Sequence, residues 1–178
     1  MLIFMLSLES FNAQEVTFGV KGGLNLASIS EYQTVDPDLR VSFHFGGFVE
    51  IPLWNKFSLQ PELLYSGQGF KETYSSTHMH TVRLNYLNLP ILIKYYVWNG
   101  ISVETGPQMG VLISSNVSDY EKKLDLAIGF GLGYKINTDL GFGVRYNFGL
   151  SYFDNFSNSD SPPFNKHRVL QIWVAYTF

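Results

Sequence analysis

The chain reads as an all-β, eight-stranded, antiparallel up-and-down transmembrane β-barrel, and three observations predict it. Side chains alternate between two faces along eight segments, a period of two that belongs to strands and not to helices. The connections between those segments alternate short and long. The bulky face of each segment is apolar, while the opposite face is rich in glycine and carries only scattered charge.

The segments follow in order. Residues 16–27 set Phe18, Val20, Leu24 and Leu26 against Thr17, Gly19, Lys21, Gly23 and Asn25. Residues 41–53 set Phe43, Phe45, Val49 and Ile51 against Ser42, His44, Gly46 and Glu50. In 57–70, Phe57, Leu59, Leu63 and Tyr65 oppose Ser58, Gln60, Glu62 and Ser66. In 82–97, Leu87, Leu89, Ile91, Ile93 and Tyr95 oppose Asn88, Lys94 and the less polar Leu92. The fifth segment, 101–113, puts Ile101, Val103, Met109, Val111 and Ile113 opposite Ser102, Glu104, Gly106, Gln108 and Gly110. The last three are the most regular. Leu124, Ile128, Phe130 and Leu132 alternate with Asp125, Gly129, Gly131, Gly133 and Lys135, and the segment runs to Ile136. Leu140, Phe142, Val144, Tyr146, Phe148, Leu150 and Tyr152 alternate with Gly141, Gly143, Arg145, Asn147 and Gly149. Leu170, Ile172, Val174, Tyr176 and Phe178 alternate with Val169, Gln171, Trp173, Ala175 and Thr177.

Three connections are tight turns built from Asn, Gly, Asp, Thr, Trp and Lys: 54–56, 98–100 and 137–139. The other four, 28–40, 71–81, 114–123 and 154–167, are long and polar. Such alternation puts every short turn at one end of a meander and every long loop at the other. Both chain ends of the meander then lie at the turn end.

Composition decides which face is wet. Charged residues are 15% of the chain, against about 25% in an average soluble domain, while aromatics reach 16%. The lumen of an eight-stranded barrel just holds its side chains, so the bulky apolar set would overfill it. The reverse arrangement places small residues and isolated ions inside and the bulky set against lipid. The segment lengths suit this, since a tilted spanning strand needs ~9–11 residues. Aromatics near strand ends, among them Trp54, Phe57, Tyr95, Tyr96, Trp98, Tyr134, Tyr152, Phe153, Tyr176 and Phe178, are expected as interfacial girdles. The alternative of a soluble lipid-carrier barrel requires Leu140, Phe142 and Val144 to point inward. Residues 1–13 read as a signal peptide cut after Ala13, which leaves 14–178 as the outer-membrane barrel domain.

On the inner face Lys21, Lys94, Lys135 and Arg145 are cationic and Glu50, Glu62 and Glu104 anionic. Buried charges persist only when paired and hydrogen-bonded, so a salt-bridge ladder across the lumen is expected. An ion path, or a catalytic pair made of Glu62 and Glu104, is the functional alternative; eight strands leave no room for an aqueous channel. The absence of cysteine removes disulfides, thiolate metal sites and cysteine nucleophiles. A net charge of −3 argues against nucleic acid as a partner. His78-Met79-His80 offers two imidazoles without a third ligand nearby, and Asp36-Pro37-Asp38 lacks the further oxygens of a calcium loop. No cofactor or metal is expected, and no catalytic residue is assigned. A lipid-modifying barrel enzyme would need His44, His78, His80 or His167 to meet Ser and carboxylate groups at the loop end.

The run Phe18-Gly19-Val20-Lys21-Gly22-Gly23-Leu24-Asn25 is followed by Phe45-Gly46-Gly47-Phe48 and Leu59-Gln60-Pro61-Glu62-Leu63-Leu64-Tyr65. Leu84-Asn85-Tyr86-Leu87-Asn88-Leu89-Pro90 and Gly106-Pro107-Gln108 continue the pattern. As a set these motifs resemble the PorT-family outer-membrane β-barrel proteins of Bacteroidota, across nearly all of the mature chain. The resemblance implies the outer membrane, a monomer, and contact with outer-membrane lipid or lipopolysaccharide. A protein partner would be met through the long loops. The family's founding member is linked to type IX secretion, and most relatives have no assigned activity, so a component associated with type IX secretion stands as an alternative. The expected work is structural, adhesive or partner-binding, without an open pore.

Overall fold

A computed structural model of the chain describes residues 15–30, 40–75, 78–116, 124–150 and 166–178. The expected leader, Asp36 to Asp38, and Tyr152 and Phe153 lie outside the described residues. Eight strands follow one another around a closed ring: β1 (Thr17–Ser30), β2 (Arg40–Pro52), β3 (Phe57–Ser75), β4 (His78–Trp98), β5 (Ile101–Ser115), β6 (Leu124–Lys135), β7 (Leu140–Gly149) and β8 (Lys166–Thr177). Every pairing is antiparallel, and β8 returns to β1 in an unbroken register from Gly19↔Thr177 to Ser30↔Lys166. Closure leaves no free edge, which lets a strand structure satisfy its backbone groups where lipid offers no partner.

The bulky set faces outward. Phe18, Phe130 and Val174 are 59%, 57% and 54% exposed, and Leu140, Phe142 and Val144 also stand on the outer surface. That orientation rules out the carrier arrangement, which requires Leu140, Phe142 and Val144 to point inward. At the turn end Trp54 packs on Phe57 and Phe57 on Tyr95, with ring centroids 5.6 and 4.8 Å apart. Tyr134–Phe142 and Tyr176–Phe178 pairs continue the belt. Tyr96 departs from the expected girdle: its position shares the inward parity of Lys94, and its hydroxyl donates to Glu50 in the lumen.

Two further expectations need correction. The connection at 71–81 is not a long loop, because β3 and β4 stay paired from Lys71↔Thr81 to Ser75↔His78. Pairing outlasts the apolar alternation there, since a hairpin clear of the bilayer needs no greasy face. The lumen also holds more than small residues and ions: Phe48, Leu64, Leu84, Tyr86, Leu92 and Trp173 are buried inside it. Glycines make the space. A Cβ on Gly19 would sit 2.3 Å from the Phe48 ring, and one on Gly143 would sit 2.5 Å from the Trp173 ring. At Gly23 and Gly46 the obstacle is the neighbouring strand itself, with a carbonyl oxygen 1.9 Å from where Cβ would be. Inner-face glycine is therefore a seat for a large neighbour or a point of close backbone approach.

Candidate functional site

The lumen is built in layers from the inward positions of the strands. The central layer takes one residue from each odd-numbered strand: Lys21 on β1, Glu62 on β3, Glu104 on β5 and Arg145 on β7. β3 and β7 lie four strands apart in a ring of eight, on opposite walls. Arg145 reaches across and grips Glu62 through two parallel bonds, Nη1 to Oε2 and Nη2 to Oε1, both 2.8 Å. Its Nε donates to Glu104 Oε1 at 2.7 Å. Lys21 Nζ lies 2.5 Å from Glu62 Oε1, and its ammonium sits 4.3 Å above the Trp173 ring. Two cations meet two carboxylates, and none of the four side chains is more than 1% exposed. A planar guanidinium suits this position because its fixed fork matches a carboxylate and leaves a further N–H for a second one.

Toward the turn end the even-numbered strands supply the next layer. Lys94 on β4 and Lys135 on β6 both approach Glu50 Oε2 of β2 at 3.2 Å. Lys94 also donates to Gln60 Oε1 at 2.9 Å, while Gln60 Nε2 donates to Glu62 Oε1 at 2.5 Å. Gln60 thus couples the two charged layers. Lys135 differs from the rest, with its side chain 32% exposed at the mouth.

Toward the loop end the lumen is lined mainly by amides and hydroxyls, with the buried carboxyl of Asp125 beside them. Asn25 is the hub: its Nδ2 donates to Ser66 Oγ at 2.9 Å and to the Gly67 carbonyl at 2.8 Å. Its Oδ1 accepts from Gln171 Nε2 at 3.1 Å and lies 2.8 Å from His44 Nδ1. Asn147 Nδ2 donates to Gln171 Oε1 at 2.9 Å.

The structure thus gathers the seven predicted charges into two adjoining layers, with five ion pairs among them. Four of the groups that complete the lumen, Asn25, His44, Asn147 and Asp125, were visible only as inward parity; Asp125 is buried on β6. Nothing in their spacing along the chain showed which would meet, because that depends on strand register. Glu62 and Glu104 are locked in the centre on Arg145, with no opening at either oxygen of Glu62. His44 belongs to the amide layer and does not reach the loop rim. The side chains of His78, His80 and His167 lie outside the described residues. Among the described residues no three His, Asp or Glu side chains gather as a metal set.

A closed barrel with a greasy exterior and an ion-paired interior defines an integral membrane protein that crosses with strands. The chain belongs to the outer membrane protein beta-barrel domain family, whose model matches residues 12–155. It is an outer-membrane protein. Among solved structures it is similar to neisserial surface protein A (NspA), with 10% identity, a TM-score of 0.57, and 93% of this chain and 100% of that one covered. It is also similar to Ail, the attachment invasion locus protein of Yersinia pestis, with 12% identity, a TM-score of 0.53, and 92% and 99% covered. A de novo designed transmembrane β-barrel is similar at 11% identity and a TM-score of 0.50, with 91% and 95% covered. At these identities the likeness is one of fold. No curated protein matches the chain in sequence.

Proposed function

We propose that this protein is a monomeric, non-conducting outer-membrane barrel with a structural or adhesive role and no catalytic one. The observation that carries the reading is Arg145 spanning the lumen between Glu62 and Glu104, with the side chains of all three at most 1% exposed. A lumen closed by a bidentate, fully desolvated ion cluster offers neither a water column nor a place for substrate. Recognition is left to the loop end, which faces outward from the cell in this reading, with the tight turns toward the periplasm and residues 1–13 removed as a leader. Ail has been solved with the heparin analogue sucrose octasulfate. That complex supports a search for polyanionic partners of this barrel.

Lipid contact has its own support. Arg83 on β4 and Arg168 on β8 are exposed on the outer face near the loop end, and those strands stand on opposite walls. Arg168 is eight positions from Tyr176, and Arg83 is twelve from Tyr95. A tilted strand climbs roughly 2.5 Å per residue along the membrane normal, so these intervals bracket an apolar band of ~25 Å. The two guanidinium groups then meet the phosphates of the outer leaflet. The motifs at residues 18–25, 45–48 and 59–65 support a PorT-type protein of Bacteroidota, with association with type IX secretion as the alternative role.

Planar-bilayer recording on the purified, refolded protein tests the plug. The expected trace is a quiet baseline at all voltages that the membrane withstands. Reproducible stepwise conductance from the unmodified protein would overturn the proposal.

A further inference from the structure

The charge count differs between the two charged layers. The central layer is neutral, two cations on two carboxylates, whereas at the turn end Lys94 and Lys135 share the single carboxylate of Glu50. Both ammonium groups use the same oxygen, Oε2, and Tyr96 donates to the other, Oε1. Glu50 is thus fully engaged, and among the described residues no second carboxylate pairs with these two lysines. The two other acids at this end, Glu15 and Asp139, are exposed and take no part in the lining. A cavity of about 20 Å³ lies beside the two lysines, lined also by Lys21, Gln60, Ser102 and Thr177 and by the Glu50 carboxylate that both lysines already hold. Lys21, Lys94 and Lys135 bring three ammonium groups to this cavity against the one carboxylate of Glu50, and that excess calls for an anion.

The geometry points to a binding site for one small monovalent anion of halide size, between Lys94 and Lys135 in the turn-end lumen. The cavity holds little more than one water-sized sphere, which excludes bulky oxyanions. Lys135, partly exposed at the mouth, gives the anion its way in. Occupancy would complete the charge balance of the lumen and so stabilise the folded barrel without any change in the wall.

The test compares sodium chloride with sodium gluconate at equal ionic strength, on the folded protein in detergent, reading the midpoint of its heat-induced gel-mobility shift. Gluconate is too large to enter. The expected result is a saturable rise of about 2–4 °C in chloride for the wild type and for K56M, a lysine on the β2–β3 turn. K135M should lose the chloride response. Equal midpoints in the two salts, or an undiminished response in K135M, would overturn the site. Crystals of the wild type grown in bromide decide the matter even if K135M fails to fold. An anomalous peak between the Lys94 and Lys135 ammonium groups supports the site, and its absence from that cavity refutes it.

Discussion

Gln60 and Gln68 are the same residue, on the same strand, facing the same lumen, and each is 2% exposed. Their surroundings differ completely. Gln60 gives one hydrogen bond to the Glu62 carboxylate and takes one from the Lys94 ammonium. Gln68 gives one, at 3.3 Å, to a Ser66 hydroxyl that Asn25 already serves. The pair represents the two halves of the interior: ion pairs at the centre and turn end, mainly amides and hydroxyls toward the loops. An ionic interior is costly to assemble and more costly to disrupt, because removing one member strands another charge away from water. A neutral interior is forgiving, since a stranded amide loses less and re-pairs more easily.

The comparison can be broken most severely at Arg145. Its removal in R145A leaves Glu62 and Glu104 with Lys21 as their only central cation. The expected cost is about 3–5 kcal/mol in urea unfolding from lipid vesicles, or failure to refold at all. A loss below about 1 kcal/mol would mean that the lumen hydrates freely and that the cluster is not desolvated. The double variant R145M/E104Q sharpens the point. With Lys21 still paired to Glu62 and no charge stranded, it should recover much of the lost stability while remaining closed to ions. If it proves as unstable as R145A, the cluster acts through its geometry and not through its charge.

Much of this architecture was legible in the chain. Inward parity alone identified Lys21, Glu62, Glu104 and Arg145, because a period of two fixes the face of every side chain once one face is known to meet lipid. Parity could not show that the odd-numbered strands would supply one layer and the even-numbered strands the next. That follows from the stagger between strands, which the sequence does not display. Trp173 was hidden for a different reason. A large aromatic on the glycine-bearing face looks like an exception until Gly133 and Gly143 are seen to hollow out the wall beneath it. The β3–β4 extension was hidden because alternation marks only those stretches of strand that have an oily side.

The next tests are milder. Q60L should cost about 1.5–3 kcal/mol, the range for hydrogen bonds to charged groups, since it withdraws a donor from Glu62 and an acceptor from Lys94. At the amide hub, N25A should cost about 1–3 kcal/mol although it breaks contacts to Ser66, Gly67, His44 and Gln171 at once. If N25A were as damaging as R145A, the contrast between the halves would vanish, and hydrogen-bond number would matter more than charge.

Gln68→Leu is the smallest expected effect and the sharpest control. The substitution keeps the approximate volume of the side chain and removes one bond, 3.3 Å long, to a hydroxyl with another partner. The backbone carbonyl of Gln68, which accepts from Arg40, is untouched. A change of less than about 1 kcal/mol is expected, against about twice that or more for the matched substitution at Gln60. Burial, strand and residue type are constant between the two, so the ratio isolates the local charge. Equal losses would show that the lumen responds to any missing amide alike, and the ionic layers would then be a matter of packing.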